Sequence, residues 1–237
     1  MGGFWVHLAS HKHPDRAAVE YEDLAITYQQ LSQASIVGSC GLDDQDVRSG
    51  DPVALEFDDP FDFALALHTC LLHAAPAVPI DLRLSEEERA LRWRGVKMVL
   101  RDWPPAGTPS LLGMPSVSRG LEKAVATIMY TSGTTSKPKR VELTYGNWMA
   151  SALASAVALG LDPEERWLCA MPLTHVGGLS ILIRSLIYAT TAVLHRGFHT
   201  DAVLEELMNP ERRITMVSLV PTMLARLLDA GLERPPT

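Results

Sequence analysis

Short apolar runs and helix-forming segments alternate along almost the whole chain, and this alternation is the strongest constraint on its fold. Runs at 17–21, 25–26, 53–57, 77–80, 96–100, 124–129, 166–171, 191–194 and 214–219 have the length and apolar character of strands. Helical segments fall between them, at 1–13, 28–39, 61–74, 85–94, 147–159, 179–188 and 201–208. Several carry their own start and stop signals. Thr27 with Gln30 and Ser85 with Glu88 have capping-box spacing, Thr200 is placed to cap the helix that Asn209-Pro210 ends, and Pro221 opens a helix that Gly231 closes. Strands that alternate with helices must be joined by crossovers. The predicted class is therefore α/β, with layered, mostly parallel sheets flanked by helices. Residues 101–119 are rich in Pro, Gly and Ser and read as a loop or joint.

One strand empties into an unusual loop. After the apolar run 124–129 comes Tyr130-Thr131-Ser132-Gly133-Thr134-Thr135-Ser136-Lys137-Pro138-Lys139-Arg140. A triphosphate tail needs many short donors and positive charge. Thr131, Ser132, Thr134 and Thr135 offer hydroxyls, Gly133 lets backbone N–H groups approach, and Lys137 and Lys139 bring mobile charge. Strand, polar loop and then a helix from about Asn147 suits phosphate binding. The spacing is not that of a P-loop, because no second glycine precedes a Lys-Ser or Lys-Thr pair. A solvated Ser/Thr-rich hairpin is the plainer reading, and the density of donors directly after an apolar strand favours phosphate.

Composition narrows the partners. Of 237 residues 47% are apolar, enough for a core, and the net charge of −7 without a basic stripe argues against nucleic acid. Cys40, Cys70 and Cys169 have no metal-binding spacing and read as buried thiols of a reducing compartment. His7 and His11 lie one helical turn apart but lack a third ligand nearby, so no metal site is expected. The most apolar segment, 179–194, is short and interrupted by Arg184. The N-terminus carries no signal-peptide pattern. Together these read as a soluble cytoplasmic protein with no membrane partner.

The loop 130–139 resembles the signature loop of the adenylate-forming enzymes, the acyl- and aryl-CoA synthetases and their relatives. Met171-Pro-Leu-Thr-His175-Val-Gly-Gly-Leu179 resembles the family's next loop, and Ser218-Leu-Val-Pro-Thr-Met-Leu224 its next strand and helix start. Thr27-Tyr28 and Val78-Pro79-Ile80-Asp81 resemble earlier landmarks. Within the family, the His175 loop and 218–224 are most similar to the o-succinylbenzoate–CoA ligases of menaquinone synthesis. The resemblance implies ATP-dependent activation of a small carboxylic acid as an acyl-adenylate, followed by thioester formation with CoA. It implies that Thr131, Ser132, Gly133, Thr134, Thr135, Lys137 and Lys139 hold ATP phosphates, and that His175, Gly177 and Gly178 line the acyl pocket. A core histidine is the plainer alternative for His175.

Three positions depart from the family pattern. Ser136 stands for a glycine, Arg140 for a small residue and Tyr145 for a histidine. Arg140 has two readings, an added phosphate charge or a partner for Glu142. The family's later motifs, including the Tyr-Gly-x-Thr-Glu segment with its magnesium-associated glutamate and the C-terminal domain with the catalytic lysine, do not occur in this sequence. No catalytic residue or Mg2+ ligand is therefore assigned within it. The expectation is an incomplete N-terminal core of the adenylate-forming fold, with sub-domains at about 51–160 and at 1–50 with 161–237. Unpaired strands, exposed apolar surface, and self-association or a complementary C-terminal half would follow. A non-catalytic remnant or split half remains the alternative to a working ligase.

Overall fold

The computed structural model describes residues 5–102, 121–131 and 138–233. It contains two five-stranded sheets. The first is built from β3 (Val53–Leu55), β4 (Ala77–Pro79), β5 (Met98–Leu100), β6 (Val125–Thr131) and β7 (Lys139–Thr144), in the order β5-β3-β4-β6-β7. The second contains β1 (Ala17–Tyr21), β2 (Leu24–Thr27), β8 (Arg166–Cys169), β9 (Thr191–Leu194) and β10 (Met216–Val217), in the order β10-β8-β9-β1-β2. Every ladder is parallel except the two hairpin pairs, β1 with β2 and β6 with β7.

Strand periodicity explains the layering. Successive side chains point to opposite faces. Val53, Leu55 and Ala77 of the first sheet, and Trp167, Cys169, Ala192 and Leu194 of the second, enter one continuous core between the sheets. Helices α1 (Trp5–Lys12), α2 (Tyr28–Asp44), α3 (Pro60–His73), α5 (Tyr145–Leu159) and α6 (Val176–Tyr188) fill that core. The alternate residues face outward. Ala54, Val78 and Ile128 share a face with Val99 of β5 and are covered by Trp93 and Val96, just after α4 (Glu86–Arg92). Leu168 and Val193 are covered by Val203 and Leu207 of α7 (Thr200–Met208) and Leu227 of α8 (Pro221–Asp229). Apolar on both faces, the central strands read as uninterrupted hydrophobic runs.

Polar ties fix the helices. The buried Tyr28 hydroxyl lies 2.6 Å from the Thr190 carbonyl and 2.9 Å from that of Ser185, joining α2 to the end of α6. Tyr145 donates to the Leu71 carbonyl and the Trp148 indole to Thr127, so α5 is pinned to α3 and β6. At Gly38 a methyl group would stand 2.6 Å from the Thr69 hydroxyl, which is why a glycine sits at the α2–α3 crossing.

Two readings need correction. Thr200 does not cap α7: His199 is the N-cap residue and makes no side-chain cap bond, because Thr200 is already helical. The helix after the signature loop does not follow it directly, because β7 intervenes and pairs antiparallel with β6. Helix α5 then starts at Tyr145 with a capping box that the sequence reading overlooked, Thr144 with Asn147. Thr144→Ala should cost about 1 kcal/mol of stability. Urea unfolding of the variant would reveal this, and an unchanged midpoint would mean that the cap contributes nothing.

Candidate functional site

The C-terminal ends of β4 and β6 meet the N-terminal end of α6, and the three enclose a cleft of about 360 Å3. Its walls include Pro79 at the end of β4 and Asp81 beyond it, Met129, Tyr130 and Thr131 of β6, and Thr174, His175 and Val176 at the start of α6. Clefts beyond the carboxyl ends of parallel strands are where open α/β sheets bind ligands.

Each wall has a local cause. Tyr130 is held against α4, its ring 5.6 Å from the Arg92 guanidinium carbon and its hydroxyl 3.4 Å from the Arg92 carbonyl. Thr131 ends β6 directly opposite Lys139 in β7. The signature loop therefore joins two strands of one hairpin. Ser132, Gly133, Thr134, Thr135 and Lys137 lie outside the described residues, as does Ser136. Lys139 is exposed. Arg140 pairs with Glu142 at 2.6 Å, so of its two readings the structure gives the ion pair.

His175 is the N-cap residue of α6, is exposed and makes no side-chain cap bond. The helix N-terminus, with its unpaired N–H groups and positive dipole end, faces the cleft. His175 Nε2 lies 3.5 Å from Arg83 Nη2. The guanidinium can only donate, so Nε2 takes the acceptor role and the ring proton belongs on Nδ1. Arg83 is itself held by Asp81, with Nη2 at 2.7 Å and Nε at 2.9 Å from its oxygens. These bonds from Arg83 keep the Asp81 carboxyl below the usual carboxylate range. Arg92 and Asp81 both line the cleft, and Arg83 links Asp81 to His175 from beside it.

The polar loop is shorter than the sequence reading had it, because α6 begins at Val176 rather than Leu179. Gly177 and Gly178 thus belong to its first turn. The cleft walls do not include them. Gly178 is buried, and a methyl group there would stand 2.4 Å from the Pro172 carbonyl oxygen and 2.8 Å from that of Met171. That glycine permits the tight turn that presents His175.

Sequence reasoning passed over Arg83, Arg92 and the role of Asp81. The one available signal was Asp81, at the end of the Val78–Asp81 landmark. A second cleft of about 400 Å3 adjoins the first, sharing Asp81 and Thr174, and runs between the sheets past Asp58, Arg196 and Phe198. Among the described residues no group of three or more His, Cys, Asp or Glu is arranged to hold a metal. No helix among them is long and apolar enough to cross a membrane.

Comparison with known proteins gives consistent matches. The family model described as "AMP-binding enzyme" matches residues 6–103 and 98–236. The 2-succinylbenzoate–CoA ligase of Bacillus subtilis (strain 168) is 35% identical over 243 residues, covering 95% of this chain and 50% of that protein. The solved o-succinylbenzoate coenzyme A synthetase of Bacillus subtilis in complex with AMP superposes with a TM-score of 0.90 at 33% identity, covering 99% of this chain and 52% of that one. The same synthetase in complex with ATP and magnesium gives a TM-score of 0.87 at 33% identity, covering 98% and 52%. The chain thus spans about half the length of the curated relatives it matches, and corresponds to their N-terminal part.

Proposed function

This chain belongs to the AMP-binding enzyme family, and on that premise we propose that it supplies the phosphate-gripping and acyl-binding half of a cytoplasmic CoA ligase acting on o-succinylbenzoate. In the first step a carboxylate oxygen attacks the α-phosphorus of ATP and pyrophosphate leaves. In the second the CoA thiol sulfur attacks the acyl carbon, loses its proton and displaces AMP. Thr131, Ser132, Gly133, Thr134, Thr135, Lys137 and Lys139 hold the β- and γ-phosphates, where positioning and charge neutralisation supply most of the catalysis. His175 borders the acyl group, and Gly177 and Gly178 shape its turn. The Mg2+ that accompanies ATP has its protein ligand outside this chain.

The observation that carries this reading is that Thr131, where the signature loop begins, and His175 line the same cleft. A phosphate tail and a carboxylate can meet there. The alternative reading is a non-catalytic or split half that adenylates only with a partner chain.

Carboxylate-dependent exchange of pyrophosphate into ATP tests both. The completed enzyme should exchange with o-succinylbenzoate in preference to benzoate or medium-chain fatty acids, and Lys137→Ala should slow it by about a hundredfold. A fatty-acid preference removes the o-succinylbenzoate assignment. Exchange with no carboxylate at all removes the ligase reading. Robust exchange by the chain alone removes the need for a complement.

A further inference from the structure

We propose that Asp81 and Arg83 are a positioning pair for His175: they fix its ring in the Nδ1–H form and turn that N–H to an oxygen of the carboxylate to be activated. This deepens the reading above, in which His175 borders the acyl group, and rests on it.

The backbone and the ring of His175 are held very differently. Its backbone N–H donates to the Pro172 carbonyl at 3.1 Å, and its carbonyl accepts from the Leu179 N–H at 3.0 Å, the first bond of α6. Gly178, packed on the Pro172 and Met171 carbonyls, leaves that turn no room to drift. The side chain is exposed, makes no cap bond, and has one hydrogen bond among the described residues, to Arg83. One contact therefore decides where the ring points.

Arg83 is well placed to be that contact. Three of its donors converge on the Asp81 carboxylate: the backbone N–H at 3.0 Å, Nε at 2.9 Å and Nη2 at 2.7 Å. Asp81 follows β4 directly and only 18% of its side chain is exposed, so the guanidinium is anchored on the first sheet. Nη2 carries two hydrogens. One serves Asp81, and the other serves His175 Nε2 at 3.5 Å. A planar fork fixes both directions at once. As an ion pair alone, with the Arg83 side chain 69% exposed, it would contribute little to stability.

The form of the ring matters to a carboxylate, which can only accept. With Nε2 occupied by a guanidinium N–H, the proton sits on Nδ1 and the free side of the ring is a donor. In the other tautomer Nδ1 would turn a lone pair to the carboxylate. Asp81 and Arg83 act through His175, whose proton is held and not transferred. The second carboxylate oxygen stays free to attack phosphorus.

The test has two arms. In the first, the 237-residue chain carrying 15N-histidine is measured by NMR without substrates at about pH 8, where histidine is ordinarily neutral. The His175 signals are those lost in His175→Gln. They should show a protonated Nδ1 and a bare Nε2. Arg83→Leu should move the proton to Nε2, the form histidine prefers in water, and Arg83→Lys, still a donor, should keep it on Nδ1. The second arm is pyrophosphate exchange by the completed enzyme, which needs no CoA. Arg83→Leu should raise the KM for o-succinylbenzoate about tenfold and leave the KM for ATP unchanged, with Arg83→Lys restoring most of the loss. Arg48→Leu, which removes exposed ion pairs elsewhere, should change nothing. A bare Nδ1 in the wild type, or signals that ignore Arg83→Leu, overturns the proposal. So does an unchanged KM for the carboxylate, or an equal rise in both KM values, which would mark a purely structural role. Exchange with no carboxylate at all would remove the ligase reading and leave the ring assignment standing.

Discussion

Unfolding free energy should fall by about 3 kcal/mol between pH 6.5 and pH 4 through one residue, His68. Its side chain is 2% exposed in the middle of α3, and its Nδ1 lies 2.6 Å from the Ala64 carbonyl oxygen. Burial pushes its pKa down to about 4 from the ordinary 6.5, partly opposed by that bond. Between these values the unfolded chain binds a proton that the folded chain refuses, so stability is present above pH 6.5 and drains as pH falls towards 4. Each unit is worth about 1.4 kcal/mol, which sets the total. Burial lowers His7 in the same direction, whereas burial raises Asp62 and Glu165 and so opposes the loss. Comparison with His68→Leu isolates the residue. Leucine is close in volume and should cost less than about 1.5 kcal/mol at pH 8. Guanidinium unfolding of both proteins across pH 8 to 4 should show curves that cross, with His68→Leu the more stable protein at pH 4. Parallel curves would mean that folded His68 takes up its proton freely.

Gly178→Ala is expected to cost about 3 kcal/mol or more, while its neighbour Gly177→Ala costs almost nothing. At Gly178 the new methyl meets two backbone oxygens, of Pro172 and Met171, at 2.4 and 2.8 Å. Backbone cannot rotate away, so the turn or the start of α6 must move. At Gly177 the nearest atom is the Met171 methyl at 3.0 Å, the end of a flexible chain. Alanine also gains about 1 kcal/mol of helix propensity at either site. That gain offsets the small clash at Gly177 but not the large one at Gly178, which exceeds ordinary overpacking. Displacing the turn carries His175 away from Arg83, so Gly178→Ala should also weaken carboxylate-dependent exchange in the completed enzyme. Urea midpoints for the two variants decide the matter, and equal losses would show that the backbone contact is not the cause.

The α/β layering was legible because apolar strands of the 166–171 and 191–194 type must be covered on both faces. The overlooked strand, β7, is the opposite case. Its alternation of Arg140 and Glu142 with Val141 and Leu143 is a period-2 signal. Charge protecting an exposed edge made it read as part of the loop. The pairing of the signature strand with the His175 loop at one cleft was not legible from local pattern, because Thr131 and His175 are brought together by sheets packing across a shared core. The Asp81–Arg83 pair that faces His175 was hidden for the same reason: its meaning depends on a contact 92 residues away. The burial of Gly178 against two carbonyls is a matter of three-dimensional crowding that no spacing rule reports.

The position of β1 has a consequence for how the protein is made. The sheet holding β3 to β7 is encoded between residues 53 and 144 and can close as soon as that stretch leaves the ribosome. The other sheet cannot. β1 pairs with β9, Val19 against Ala192, so its inner edge has no partner until residue 192 has been made. The separation is 173 residues, which at about 5–20 residues per second is a wait of roughly 9 to 35 seconds. During that interval the β1–β2 hairpin presents Val19 and Tyr21 beside an open strand edge, the kind of surface that chaperones bind. The first strand translated is among the last to be paired, and the apolar edge nearest the N-terminus is the one longest at risk of aggregation during synthesis.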